Sequence, residues 1–368
     1  MPNQEIWLRF DKEETEESLL QQVEFFASTP ACLSDWFIKT LTRPGDQVCD
    51  VFAGRGTTAI SAFQLGRQAI ANDINPLSAI LIKGRSTSTT AEEFKEVLQE
   101  ALKTDAAPMT EEEAAIFGLY FAPQTLKQLW SIRTYLQTGI EDANKEDAQH
   151  CLRFLLTERL LGSGADFLSV AVPGLGRMNQ PEQQAQRNSV RYPNGKPEKD
   201  VETILLKRFE HYRHAFIRSE TKIICFSQEA SNLSMIPDQS VHLHFTVPPE
   251  LNTQPYVEEH WLRLWYHGIR REDWSLTLPR LSTPEEWQLT MTAVLHEQNR
   301  TLHSNGRSVW VLANRKRISD ELLPRLLQAG KEVGWQVETE YVSMIPLKKQ
   351  KGKLQGNISV RIVQFLKK

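Results

Sequence analysis

The sequence of 368 residues reads as an α/β protein with a mostly parallel sheet and a helical insert, for three reasons. Asp50-Val51-Phe52-Ala53-Gly54-Arg55-Gly56-Thr57-Thr58 precedes Ala71-Asn72-Asp73-Ile74-Asn75-Pro76 by one helix's length, giving the succession strand, glycine turn, helix, strand, carboxylate. Five further apolar or alternating runs all fall after residue 220. Between about 91 and 220 the spacing is helical and strand signal is nearly absent.

Residues 18–41 carry apolar positions (Leu19, Leu20, Val23, Phe26, Leu33, Trp36, Phe37) that predict two helices broken at Thr29-Pro30. Val48–Phe52 is the first strand of the βαβ unit. Two glycines flanking one residue let the backbone approach a ligand there, and the helix that follows offers unpaired N–H groups. Ala69–Asn72 is the next strand, and Asp73 at its end is placed to accept hydrogen bonds from ribose hydroxyls. A phosphate-binding turn more often has a third glycine or a Gly-Lys-Ser/Thr ending. Neither is present, which favours a nucleoside without a pyrophosphate.

In the insert, Ala91–Lys103, Pro123–Leu136, Ala148–Leu161 and Val201–Phe216 have helical spacing. Its middle, Ser169–Asn179 and on to Arg191-Tyr192-Pro193-Asn194-Gly195-Lys196, is rich in turn formers and cations, which predicts a long irregular loop. The remaining strands are Thr221–Ile224, Val241–Phe245, Val309–Leu312, Gln336–Val342 and Ile358–Phe365, for seven in all.

Hydrophobic residues make up 40% of the chain and charged residues 24%, an ordinary globular balance, and the length suggests about two domains. The net charge of -3 argues against a uniformly basic surface, so any DNA contact must come from a local patch or a protein partner. Cys32, Cys49, Cys151 and Cys225 lack metal-ligand spacing and read as buried, reduced thiols. The amino terminus turns acidic at once and no apolar run approaches ~18 residues, so no membrane span and a cytoplasmic location are expected.

The block "DVFAGRGTT…GRQAIANDINPLS" closely resembles the cofactor half of the amino-group DNA methyltransferases, which use S-adenosyl-L-methionine (SAM) to methylate adenine N6 or cytosine N4. The resemblance implies the Rossmann-like fold of that family, with a seven-stranded, mostly parallel sheet and an antiparallel last hairpin; Lys351-Gly352-Lys353 fits the hairpin's turn. It implies that Asp50, Phe52, Ala53, Gly54, Gly56, Thr57 and Thr58 cradle the methionine part of SAM, with Val51 standing where proline is usual. Asp73 and Ile74 would hold the ribose side, and Glu229 would accept from the adenine amine, unless it merely caps the next turn. The segment before the turn closes over the methionine end in the family, which makes Ser28 and Pro30 candidates. The plainer alternative is a proline that separates two helices.

The departure from the family lies in its catalytic tetrapeptide, Asp/Ser/Asn-Pro-Pro-aromatic, where this chain has Thr246-Val247-Pro248-Pro249-Glu250. An exocyclic amine is a poor nucleophile, so its protons must be accepted in hydrogen bonds and its nitrogen aligned with the methyl group. The family uses the first side chain and the following carbonyl as acceptors, and the aromatic ring stacks on a flipped base. Val247 has no acceptor and Glu250 no ring, although the Glu250 carboxylate could serve as a displaced acceptor if a donor compensated it, whereas Pro248 keeps its carbonyl and the proline pair stiffens the loop. The "TSPPY"-like surroundings lean toward cytosine.

The chain order of cofactor turn, insert and catalytic loop resembles the arrangement in which the recognition region lies between the two halves. Arg177, Arg187, Arg191 and Lys196 in the insert's loop would contact DNA phosphates or bases, with Tyr192 available for stacking; a solvated surface loop is the alternative. Lys348-Lys349-Gln350-Lys351-Gly352-Lys353 reads equally as a soluble hairpin tip or a nucleic-acid contact. His242 and His244 share a strand face but have no third ligand nearby, so packed histidines are expected and no metal. Trp261, Trp265 and Tyr266 have helical spacing and read as core, with base stacking open.

The expected organisation is therefore 1–90, amino-terminal helices and SAM-binding half; 91–220, helical insert and possible DNA-recognition region; 221–368, catalytic half. Two functions stay open. One is methyl transfer from SAM to an exocyclic amine of DNA. The other is a catalytically silent SAM-fold subunit that binds DNA or a protein partner, for instance in a restriction or phage-defence system. An RNA or protein amine as acceptor is a third option.

Overall fold

The structure, a computed structural model, describes residues 6–9, 30–139, 143–162, 164–172, 181–213, 221–251, 255–270, 281–313, 316–346 and 357–367. Its strands are β1 (Ile6–Arg9), β2 (Gln47–Asp50), β3 (Gln68–Asn72), β4 (Ile223–Phe226), β5 (Val241–Thr246), β6 (Leu302–Ala313), β7 (Trp335–Pro346) and β8 (Asn357–Lys367). The helices are α1 (Ala31–Leu41), α2 (Thr57–Gln64), α3 (Leu77–Arg85), α4 (Ala91–Lys103), α5 (Glu111–Tyr120), α6 (Pro123–Gln137), α7 (Glu146–Leu160), α8 (Pro181–Arg191), α9 (Val201–Tyr212), α10 (Pro255–Tyr266), α11 (Pro284–Thr301) and α12 (Lys316–Glu332).

The eight strands among the described residues join one sheet in the order β1-β7-β8-β6-β5-β2-β3-β4. Pairing is parallel except at β8, which runs antiparallel to β6 and β7. Seven of these strands are the ones expected, and the antiparallel last hairpin is present. The eighth, β1, adds to the edge beside β7, with Ile6 opposite Tyr341. Its four residues are too few for a periodic signal.

The sheet is buried on both faces because successive residues along its strands feed two cores. Val48, Ala69, Ala71, Val309 and Val311 pack with Phe37 of α1 and Ile60 of α2. Cys49, Ile70, Trp310 and Leu312 pack with Trp287 of α11 and Leu326 of α12. Strand order turns back between β2 and β5, which lie side by side with Val48 opposite Leu243. The crevice outside the carboxyl ends of strands at such a reversal is where open α/β sheets take ligands.

The chain divides into two compact units, residues 1–82, 219–253 and 276–368 in one and 83–218 with 254–275 in the other. Residues 254–275 thus group with the helical unit, not with the 221–368 segment in which the sequence placed them. The reason is local packing: the Tyr266 hydroxyl donates to the Leu129 carbonyl at 2.6 Å, and its ring lies edge-on to Trp130. Trp265 packs against Phe117, so the tryptophan–tyrosine cluster is core of that unit. Elsewhere in it Phe94 stacks on Phe209 at 4.5 Å, and fully buried Glu158 is neutralised by Arg159 and Arg208.

The four helices expected in the insert appear as α4, α6, α7 and α9, and two more accompany them. Helix α5 opens with a capping box between Thr110 and Glu113. Helix α8 corrects the reading of 181–191 as irregular. It begins at Pro181, carries Glu182 in its first turn, and is braced by a Gln184–Asn188 hydrogen bond of 3.0 Å. Its sequence is polar all round, which hides a helix from periodicity. The segment 18–29 and the Lys348–Lys353 run lie outside the described residues.

None of the four cysteines forms a disulfide; Cys225 is half-buried and the others are buried. Among the described residues no helix is long and apolar enough to cross a membrane, and none of their acidic, histidine and cysteine side chains form a group that could hold a metal ion.

Candidate active site

Three strand ends build the site. After β2 the chain turns through Gly54 and Gly56, with φ of +52° and +83°, a left-handed conformation that glycine adopts at no steric cost. The turn is tied back by Ala53 N–H donating to the Asn72 carbonyl at 2.9 Å and by Gly56 N–H donating to Ala53 O at 2.6 Å. Helix α2 then starts at Thr57, directing its first N–H groups and the positive end of its dipole at the turn.

Asp73, just past β3, faces this turn. Its Oδ2 accepts from Gly54 N–H at 2.7 Å and its Oδ1 from Asn75 N–H at 2.8 Å. Each carboxylate oxygen keeps a second lone pair, so the side chain is oriented and still able to accept from two hydroxyls. Asp50, at the end of β2, accepts from Phe52 N–H at 3.1 Å and from the Thr58 hydroxyl. Burial is the largest influence on both acids. It raises Asp50 to about 7, against the hydrogen bonds from Thr58 and Phe52 and with help from the Asp73 charge. It raises Asp73 to about 6, against the N–H groups of Asn75 and Gly54.

Asn72 is a brace that sequence reasoning missed. Its side chain accepts from Gln228 N–H at 3.1 Å and donates to the carbonyls of Gln228 (3.0 Å) and Val51 (3.3 Å). One amide therefore locks the ends of β2, β3 and β4 together. No pattern in the sequence singles out an asparagine at a strand end.

At the end of β5 the Thr246 hydroxyl accepts from Gln298 Nε2 at 2.8 Å and is fully buried. Gln298 Oε1 in turn accepts from Ser308 Oγ (2.8 Å) and Trp310 Nε1 (3.1 Å). Thr246 is thus held by the core beneath the loop. Val247 packs on the same apolar cluster as α1 and α2. Trp287 Nε1 donates to the Pro249 carbonyl at 2.8 Å, whereas no donor among the described residues reaches that of Pro248. Trp287 and Gln298 sit roughly three turns apart on one face of α11, a spacing that could have drawn attention to them. The structure brings Asp50, the glycine turn, Asp73 and the Thr246–Glu250 loop to neighbouring strand ends of one unit.

The other candidates take the following positions. Pro30 is buried at the start of α1, Phe52 and Ile74 are half-buried, and Ala53, Thr57 and Thr58 are buried. Glu229 is exposed just past β4. Ser28 and Arg177 lie outside the described residues. Arg187 and Arg191 are exposed on α8, and Lys196 is half-buried beyond it. Tyr192 is half-buried, with its hydroxyl donating to Val170 O at 3.2 Å and Arg191 over its ring. His244 is buried against Thr301 at 2.9 Å, and burial lowers it to about 3. His242 accepts from Gln47 N–H and stacks on His303.

Residues 2–82, which span β1 to the middle of α3, match the family model described as DNA methylase. No curated protein matches the chain. Among solved structures, a putative RNA methyltransferase from Pyrococcus horikoshii is similar at 12% identity, covering 95% of this chain and 94% of that one, with a TM-score of 0.36. A TehB-like SAM-dependent methyltransferase from Corynebacterium glutamicum is similar at 9% identity, covering 91% and 87%, with a TM-score of 0.31. TM-scores this low establish no relationship by themselves.

Proposed function

We propose, from the DNA methylase match of residues 2–82 and the crevice those residues build, that the chain is a SAM-dependent methyltransferase acting on an exocyclic amine of DNA. The observation that carries the reading is Asp73, fixed by Gly54 and Asn75 at the mouth of a left-handed glycine turn with acceptor capacity to spare. Such a site suits a ribose diol beside close backbone. The buried Asp50 carboxylate and the α2 amino terminus fit the charged end of an amino acid.

The cofactor is S-adenosyl-L-methionine, which when bound supplies an electrophilic methyl group. The protein's own part is orientation. Pro248 offers its carbonyl to an amine proton, the proline pair keeps that carbonyl from rotating away, and Trp287 anchors the next carbonyl from behind. Glu250 stands where an aromatic ring would stack on the base. Arg187, Arg191 and Lys196 are the cations available for phosphate contact.

One observation favours the second reading, a SAM-fold subunit without transferase activity. Val247, where the family carries its acceptor side chain, packs on the apolar core and the Thr246 hydroxyl is bonded to Gln298, so that acceptor is missing from its usual position. The experiment that separates the two is transfer of a labelled methyl group from SAM to mixed-sequence DNA. The enzyme reading expects incorporation by the parent chain and an increase of about 10²–10³ in V247S/E250Y, the scale of one restored transition-state hydrogen bond. Binding of SAM with no transfer by the parent would establish the silent subunit.

A further inference from the structure

Arg55 stands between the two glycines of the turn and is only 9% exposed. Its one hydrogen bond among the described residues runs from Nε to the Thr57 hydroxyl at 3.2 Å, which places the guanidinium at the start of α2. No carboxylate among the described residues pairs with it; Asp50 and Asp73 are tied to backbone N–H groups and Thr58. A buried guanidinium is ordinarily paired. Here it also sits at the positive end of a helix dipole, where a second cation is disfavoured. Burial lowers its affinity for the proton, to about 10 from 12.5, in keeping with a charge that lacks a counterion. The guanidinium and the helix dipole are two sources of positive potential at the start of α2, which favours an anion there.

We propose that Arg55 is the receptor for the α-carboxylate of the cofactor's methionine arm, opposite the Asp50 side that takes its ammonium. The inference rests on the reading that the crevice binds SAM. A guanidinium is suited to the task because its planar fork bonds both carboxylate oxygens at once. Arg55 would thereby distinguish an intact amino-acid arm from a truncated nucleoside. It is a binding residue in this role and touches no reacting atom.

The test is calorimetric titration of the full chain with two ligands that differ only in that carboxylate. These are S-adenosylhomocysteine and its decarboxylated analogue, 5′-deoxy-5′-(3-aminopropylthio)adenosine. The parent chain is expected to prefer S-adenosylhomocysteine by about 10- to 100-fold, the range of one charge-assisted contact. In R55M that preference should collapse to near unity while affinity for the analogue stays at the parent's value. R55Q gives the same comparison should R55M not fold, and R55K should retain part of the preference. Equal loss for both ligands, or an unchanged preference, overturns the role of Arg55 while leaving cofactor binding intact. An unchanged preference with weakened DNA binding would assign the anion to a phosphate and also overturn it. Failure of the parent to bind either ligand would remove the SAM reading itself.

Discussion

Two buried carboxylates, Asp50 and Asp73, set the electrostatic character of the crevice. Burial holds them at about 7 and about 6, well above the value of an aspartate in an unfolded chain. The folded protein therefore keeps protons that the unfolded chain has already lost between about pH 4 and pH 7. The contribution to stability is complete below pH 4 and declines as the pH rises through the folded values. D50N removes one titrating group, so its melting temperature relative to the parent should climb between pH 5 and pH 8. A constant offset across that range would show that Asp50 titrates normally. The positions of Asp73 and of the two glycines were legible in the sequence because they follow from covalent geometry and from the end of a strand. Arg55 and Asn72 were not, since their importance lies in what surrounds them after folding. Thr246 was expected among the catalytic positions, and only the structure reveals that its hydroxyl is engaged by Gln298.

At the scale of elements, the Thr246–Glu250 loop is held from below by α11. Gln298 links Thr246, Ser308 and Trp310, all buried, so Q298L strands several polar groups at once. A cost of about 1–3 kcal/mol is expected in chemical denaturation, with a broader loss of loop order in W287F, where the Pro249 carbonyl loses its donor. Wild-type stability in Q298L would mean that solvent replaces these bonds. Helices with a capping signal or a clear apolar stripe were readable, as α4 illustrates: its expected limits, Ala91 and Lys103, are those observed. Helix α8 was missed because periodicity detects only helices with an apolar face, and it is braced instead by the Gln184–Asn188 pair and by Asn188 donating to the Leu119 carbonyl. Strand β1 depends on pairing with β7, some 335 residues away in the chain, which no local pattern encodes.

Over the whole molecule, the strand reversal between β2 and β5 explains how segments separated by nearly two hundred residues form one site. The succession of glycine turn, helical segment and proline-pair loop is legible because each part carries its own local signature. The return of residues 254–275 to the helical unit is a tertiary preference, decided by Tyr266 and Trp265 finding aromatic partners there. A net charge of -3 leaves DNA affinity to local cations. Replacing Arg187 and Arg191 with alanine should weaken binding evenly across sequences and reduce the slope of log affinity against log salt by about 0.9 for each phosphate no longer neutralised. An unaltered slope would exclude α8 from the DNA interface.

The position of the nucleoside decides most directly whether the crevice is the cofactor site, and a crystal structure of the chain with S-adenosylhomocysteine measures it. The expected result is ligand density outside the carboxyl ends of β2 and β3, with ribose hydroxyls donating to Asp73 and the amino-acid arm along Gly54–Gly56. An empty crevice at saturating ligand, or the nucleoside bound elsewhere on the chain, would contradict it.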